Sequence, residues 1–194
     1  KKFEFKFNEF IQLKDPFNEI LISPPLKNRP DYKIKGKKLI VTFKDTLQPN
    51  TTYTINFGKS IVDNNEGNPL LGLNYVFSTG DQIDSLSISG KITDAYTKKT
   101  VENTGVLLYK DEGFKDSTFQ TQRPFYYALT NDKGYFKLKY LKEGTYRVFA
   151  LQDQNFNLKF DASNENVGFL SEPVNLSPDI QLDLSLVLFQ NYQS

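Results

Sequence analysis

The sequence predicts an all-β protein built as two tandem β-sandwich domains, and three observations carry that expectation. Every strong apolar periodicity in the chain is two, as in Lys2–Phe7 and Tyr135–Tyr140, and no stretch sustains the 3.6-residue period of an amphipathic helix. The apolar set includes 17 Phe and 11 Tyr together with Leu, Ile and Val, and the aromatic and β-branched residues among them suit a pleated, half-buried surface. Gly, Pro, Asn and Asp punctuate the chain into short runs, and the polar stretch Thr79–Ser85 separates two halves. With 194 residues there is room for two modules, 1–80 and 81–194, since domains commonly hold about 100 to 150 residues.

In the first half, Phe3, Phe5 and Phe7 alternate with Lys2, Glu4 and Lys6, the pattern of a strand with one face buried. Phe10–Leu13 follows, then a break at Asp15-Pro16, then Ile20–Ser23, which the paired Pro24 and Pro25 end. Asp31–Lys35 and Lys38–Phe43 flank a Gly36-Lys37 turn and read as a hairpin. Thr52–Phe57 and Tyr75–Ser78 complete seven short strands, with Ile61–Leu70 between them as a connection.

The second half opens with Leu86–Ile92 and Val106–Tyr109, separated from Phe125–Leu129 by a polar stretch, Lys110–Gln122, expected to protrude as a loop. Two alternating runs come next, Tyr135–Tyr140 and Thr145–Leu151, entered through the turns Asp132-Lys133-Gly134 and Lys142-Glu143-Gly144. Leu182–Phe189 closes the module. No internal repeat relates the halves.

Three resemblances accompany this reading. Thr130, Gly134, Phe136 and Leu138, followed by Leu141, Gly144, Tyr146, Val148 and Ala150, resemble the signature of prealbumin-like (transthyretin-like, carboxypeptidase regulatory-like) sandwich modules. In the first half, Phe5–Glu9, Ile22–Pro24, Leu47–Ile55, Ile61–Asn68 and Phe77–Gly80 are similar to the bacterial Ig-like family first named from S-layer proteins, whose first strand would precede Lys1. In tandem, the two look like the N-terminal part of Bacteroidetes-type cell-envelope lipoproteins. That resemblance implies export, an outer-membrane anchor through a cysteine upstream of Lys1, and more chain after Ser194. A chain without methionine that opens in mid-pattern fits an excised segment, so the missing leader does not argue for the cytoplasm.

Composition excludes several chemistries. Without His or Cys, this segment has no Ser-His-Asp or Cys-His constellation, no disulfide, and no zinc site built on imidazole or thiolate. No Gly-rich phosphate loop is present. The net charge of +1 argues against nucleic acid, which needs a basic surface to displace counterions. The halves differ, at +4 for residues 1–80 and −3 for 81–194, with Lys33, Lys35, Lys37, Lys38 and Lys44 concentrated around the hairpin, where they read as edge lysines that deter aggregation.

One stretch has the spacing of a cation loop. Asp153, Asn155, Asn157 and Asp161 stand at positions 1, 3, 5 and 9, with Glu165 at 13 and the Lys159 carbonyl at 7, the alternation by which a loop wraps Ca²⁺ in oxygen ligands. Leu158 occupies the place of the usual turn glycine and the acidic residue comes one place late, so the stretch is either a weak Ca²⁺ site or a set of Asx-capped turns. Asp63–Asn68 reads as a structural turn. Phe125, Tyr126 and Tyr127 would form a sugar-stacking platform if exposed, although alternation sends at least one ring inward. The functional expectation is a non-enzymatic scaffold or protein-interaction segment of an envelope lipoprotein, with other envelope proteins as partners and membrane contact only through an anchor outside the segment. The alternative is a carbohydrate-binding accessory module with a glycan partner.

Overall fold

The structure, a computed structural model, describes residues 1–155, 157–161 and 165–189. It divides into two units, Lys1–Gln82 and Ile83–Ser194. Both are all-β. Among the described residues the only α-helices are two single turns, α1 (Pro16–Glu19) and α2 (Thr118–Thr121).

Unit 1 holds eight strands: β1 (Lys2–Lys6), β2 (Ile11–Leu13), β3 (Leu21–Ser23), β4 (Asp31–Lys35), β5 (Lys38–Thr42), β6 (Thr52–Asn56), β7 (Ile61–Asp63) and β8 (Asn74–Ser78). They form the sheets β1-β5-β4 and β3-β6-β8 and the pair β2-β7. The strand beyond the expected seven is β7, which pairs with β2 through Ile11↔Asp63 and Leu13↔Ile61. Ile61 and Val62 are buried, so the connection contributes core residues as well as a turn.

The period-2 pattern of β1 places Phe3 and Phe5 opposite Val41 and Leu39 of β5, on the face that packs inward. Phe3 lies 4.6 Å from Phe77 and Phe5 lies 5.0 Å from Tyr75, ring centroid to centroid. Tyr53 stacks on Phe77 at 5.4 Å. Edge-to-face and offset pairs of this kind contribute about 0.5 to 1.5 kcal/mol each beyond area burial. They add to the packing of a unit that has no disulfides.

Unit 2 holds β9 (Leu86–Asp94), β10 (Gly105–Lys110), β11 (Tyr126–Leu129), β12 (Tyr135–Leu141), β13 (Gly144–Leu151), β14 (Val167–Phe169), β15 (Val174–Leu176) and β16 (Leu182–Leu188). One sheet is β12-β9-β16, in which β16 runs parallel to β9; the other is β11-β10-β13-β14, with β15 also paired to β13. Ile88, Ile92, Val106, Leu108, Phe136 and Leu186 are among the side chains that fill the core between them. At one edge the sheets meet: Val167 and Phe189 exchange backbone hydrogen bonds of 3.0 and 2.8 Å.

The residues that carried the second-module resemblance have structural roles here. Thr130 is buried, its hydroxyl donating to the Val101 carbonyl at 2.9 Å and accepting the Thr104 N–H at 3.0 Å. Gly134 has φ +74°, and a Cβ there would meet Thr100 at 2.5 Å, so only glycine fits. A register shift between Lys139 and Leu141, with Tyr140 at φ +61°, makes a bulge in β12. It turns Leu141 into the core and leaves Tyr140 half-buried, which the simple alternation does not reveal.

The Lys110–Gln122 stretch departs from its expected protrusion. Phe114 and Phe119 fold back over the second face of β10 and β13, where they join Leu107, Tyr109, Phe149 and Phe160. Phe119 is 7% exposed and stacks on Phe149 at 4.2 Å. Two aromatic anchors hold down a loop whose composition is otherwise polar. With both faces of β10 covered, its sequence Gly105–Tyr109 is buried throughout.

Candidate functional site

The loop that follows β13 starts from a closed neck. The Gln152 N–H donates to the Asn166 carbonyl at 3.0 Å, and Asn166 Nδ2 donates to Gln152 Oε1 at 2.6 Å. Phe160 holds the far side: its N–H donates to the Phe119 carbonyl at 3.1 Å and its ring stacks on Phe119 at 5.2 Å. The site thus rests on the same aromatic cluster that anchors the Lys110–Gln122 loop.

Within it, the side chains singled out by spacing come together through hydrogen bonds. Asp153 accepts the N–H of Asn157 at 3.2 Å and of Leu158 at 2.7 Å. Asn155 Oδ1 accepts the Asn157 N–H at 3.0 Å, and Asn157 Oδ1 accepts the Lys159 N–H at 2.6 Å. Asp161 Oδ2 receives the amides of both Asn155 and Asn157, at 2.7 and 2.8 Å. Glu165, 1% exposed, spans the loop and accepts the Gln154 and Asp161 N–H groups at 2.9 and 2.8 Å. Leu158 sits at φ +61°, a left-handed conformation that costs a non-glycine residue about 1 to 2 kcal/mol.

Burial pushes the Glu165 carboxyl pKa up against the pull of its two N–H donors, and the charges of Asp153 and Asp161 add to the push. Burial likewise raises the hydroxyls of Tyr109 and Tyr127, with the Asp153 charge as the second cause. The charges of Asp153 and Asp161 thus act on Glu165, and that of Asp153 also on Tyr109 and Tyr127. Among the described residues, no group of three Asp, Glu, His or Cys side chains is placed to hold a metal ion. In this arrangement the oxygens of Asp153 serve as acceptors for backbone donors, the geometry of Asx-capped turns.

The same device occurs at two other strand ends. Asp63, at the end of β7, accepts the N–H groups of Asn65, Glu66, Gly67 and Asn68 at 2.5 to 3.3 Å, and the Glu66 bond leads in holding its pKa down. Asp94, at the end of β9, accepts the Thr97 N–H and hydroxyl and the Tyr96 N–H, again with a lowered pKa. The sequence signal for the Asp94 turn is an Asp followed by turn-forming residues after a strand, without the alternating oxygen-ligand spacing of the Asp153 loop.

Phe125, Tyr126 and Tyr127 do not share one face. Tyr126 is buried in the inter-sheet core, Tyr127 packs with Leu107 and Tyr109 on the opposite side, and Phe125 meets Tyr126 edge-on at 4.8 Å with Lys110 Nζ 4.1 Å from its ring centroid.

The fold and these loops define a two-module β-sandwich protein with Asx-capped strand ends. Residues 1–79, within its first module, match the family model for the bacterial Ig-like domain. No curated protein matches the chain. Among solved structures, a variant of the major pilin subunit of Bacillus cereus is 13% identical with a TM-score of 0.33, over 96% of this chain and 60% of that one. The group B streptococcus pilus 2b backbone protein is 13% identical with a TM-score of 0.33, over 98% and 84%. A streptococcal ancillary pilin is 15% identical with a TM-score of 0.35, over 82% and 46%. The chain spans 60% of the length of the first of these.

Proposed function

We propose that this chain is a non-enzymatic structural or protein-interaction segment of a cell-envelope lipoprotein, serving as a scaffold or accessory subunit of an outer-membrane complex. One observation supports the reading above others: an Ig-like module at residues 1–79 is followed by a second sandwich, and the strands of both are given over to packed apolar cores. The second module is read as prealbumin-like, and the support is the resemblance carried by Thr130, Gly134, Leu141 and Tyr146. The two modules, 1–80 and 81–194, are read as folding independently, so residues 83–194 expressed alone should melt cooperatively. Export and an upstream lipid anchor belong to the same proposal; among the described residues, no helix is long and apolar enough to cross a membrane.

The test is retention of partners. The purified chain, immobilised and exposed to detergent-solubilised outer membranes from its source, should retain one or a few envelope proteins in stoichiometric amount. Binding to a glycan array with no protein retained would instead select the carbohydrate-accessory reading.

Within this reading, the Asp153–Glu165 loop is proposed as a weak Ca²⁺ site with Asp153, Asn155, Asn157, Asp161, Glu165 and the Lys159 carbonyl as ligands. The support is the convergence of oxygen-bearing side chains around Asp161. Binding requires the amides of Asn155 and Asn157 to turn their oxygens inward, because their nitrogens now face Asp161 Oδ2.

A further inference from the structure

The outward face of the β1-β5-β4 sheet is a grid set by register. In antiparallel pairing, directly opposed residues project to the same side. The rows across β1, β5 and β4 are therefore Lys2, Thr42, Asp31; then Glu4, Ile40, Lys33; then Lys6, Lys38, Lys35. The third row is three lysines in line. Adjacent strands lie about 4.8 Å apart, so the three side chains leave the sheet within about 10 Å of one another. Like charges directly opposed destabilise a sheet. Here the arrangement stands at the end of the sheet where the Gly36-Lys37 turn adds a fourth cation.

Two carboxylates answer part of this charge. Lys38 pairs with Glu4 at 2.9 Å, and Lys44 pairs with Asp31 at 2.7 Å, at the other end of the sheet. Among the described residues, Lys2, Lys6, Lys33 and Lys35 have no ion-pair partner, and all four are exposed. The Lys38 hydrogen bond, followed by the fields of Lys38, Lys6 and Lys2, holds the Glu4 carboxyl below its usual range, as expected beneath a cationic surface.

The same end presents an apolar ring. Phe10 is 58% exposed, although it follows a strand whose phenylalanines are half-buried. It rests against the turn: a Cβ at Gly36 would lie 3.8 Å from its Cε1, and Lys37 Nζ lies 5.4 Å from its centroid. Lys37 Nζ also donates to the Asn8 carbonyl at 2.6 Å, which ties the Phe10 segment to the hairpin. An exposed aromatic flanked by lysines is the composition of a membrane–water interface, with the ring at headgroup depth and the ammonium groups among phosphates.

We propose that this end of unit 1, comprising Phe10 and the cations of Lys6, Lys35, Lys37 and Lys38, docks on the anionic headgroups of a phospholipid surface. The cations stand in exposed positions across three paired strands, so they suit an extended surface over a single polymer strand. The cations are lysines, compact point charges for diffuse attraction, in place of the planar forks that arginine offers to one defined phosphate. Each lysine near an anionic leaflet contributes about a fivefold gain in affinity. The proposal is separate from protein partnership and from any upstream anchor.

The test is flotation of the full chain with vesicles of phosphatidylcholine, with and without phosphatidylglycerol. Binding is expected only with phosphatidylglycerol, and should fall as salt rises from about 0.1 M to about 1 M and the Debye length shrinks from ~10 to ~3 Å. The double variant Lys6→Gln, Lys35→Gln, whose fold is checked by circular dichroism, should bind about twenty-five-fold more weakly. Phe10→Ala should lose the salt-resistant remainder. A control with the same loss of charge in unit 2, Lys137→Gln with Lys139→Gln, should bind as the parent does. Equal binding to neutral vesicles, an unaffected lysine double variant, or equal weakening in the control overturns the proposal. Retention by soluble polyphosphate but not by vesicles overturns it in favour of a soluble polyanion.

Discussion

The hydroxyl of Tyr146 donates to the carbonyl oxygen of Lys142 at 2.7 Å, across the turn that starts β13. The Lys142 N–H in turn donates to the Tyr126 hydroxyl at 3.1 Å, so two core tyrosines hold both backbone polar groups of one residue. A tyrosine returning to backbone a few residues upstream is the device of the tyrosine corner. Tyr146→Phe keeps the ring and removes one hydrogen bond, so unit 2 should lose about 0.5 to 1.5 kcal/mol in denaturant unfolding.

The same tyrosines set an alkaline limit. Burial raises the pKa of Tyr126 and Tyr146 above 10.0 and pushes Tyr32 up to about 12. The neutral form is favoured in the folded state, so its stabilisation is complete below the unfolded value of 10.0 and is lost as pH rises from there towards the folded values. Melting temperature should drop steeply above pH 10.0, and less steeply in Tyr146→Phe. An equal slope in the variant would count against this assignment.

Asp63 gives the acid counterpart. Its carboxyl is held below 3.8 by backbone donors led by Glu66, so its contribution is present above that value and is lost as pH falls through the lowered one. Asp63→Asn should melt lower than the parent at neutral pH and should show a shallower decline below pH 3.8.

Phe119→Ala removes the ring that joins Phe149 and Phe160. Large-to-small changes at buried phenylalanine cost about 3 to 5 kcal/mol. The loss should come with faster amide exchange and new proteolytic cleavage in Lys110–Gln122, because the loop has lost its anchor. Destabilisation without loop exposure would show that Phe114 alone holds it.

For the Asp153–Glu165 loop, melting in EDTA and then in several millimolar CaCl₂ separates the readings. Affinity in the ~10⁻⁴ to 10⁻³ M range of extracellular modules is expected, at oxygen distances of ~2.3 to 2.6 Å. A ligand at ten times its Kd stabilises by about 1.4 kcal/mol. The parent should shift upward and the Asp153→Ala, Asp161→Ala double variant should not. An absent shift, or the same shift in both, leaves the capped turns as the whole account.

Much of the architecture was legible because strand periodicity is local. Phe3 and Phe5 of β1, Leu39 and Val41 of β5, and Phe136 and Leu138 of β12 declare by alternation alone that they share inward faces, since a strand sends successive side chains to opposite sides. The Gly36, Gly134 and Gly144 turns were legible for the same reason: positive φ is a requirement of one residue, and glycine meets it. The oxygen-rich spacing from Asp153 to Glu165 was also visible. Whether those oxygens face an ion or the backbone depends on neighbours, and spacing does not encode them.

What only the tertiary structure decided involves partners distant in the chain. Phe119 reads as one aromatic in a polar loop until Phe149 and Phe160 are placed beside it. The parallel pairing of β16 with β9 joins residues about ninety positions apart, as in Leu182↔Ile88, and no local pattern selects it. The lysine row is the clearest case. Lys6, Lys35 and Lys38 each read singly as an outward strand residue, but their alignment follows from strand order and register, which burial of the opposite, phenylalanine-rich face imposes on all three strands together.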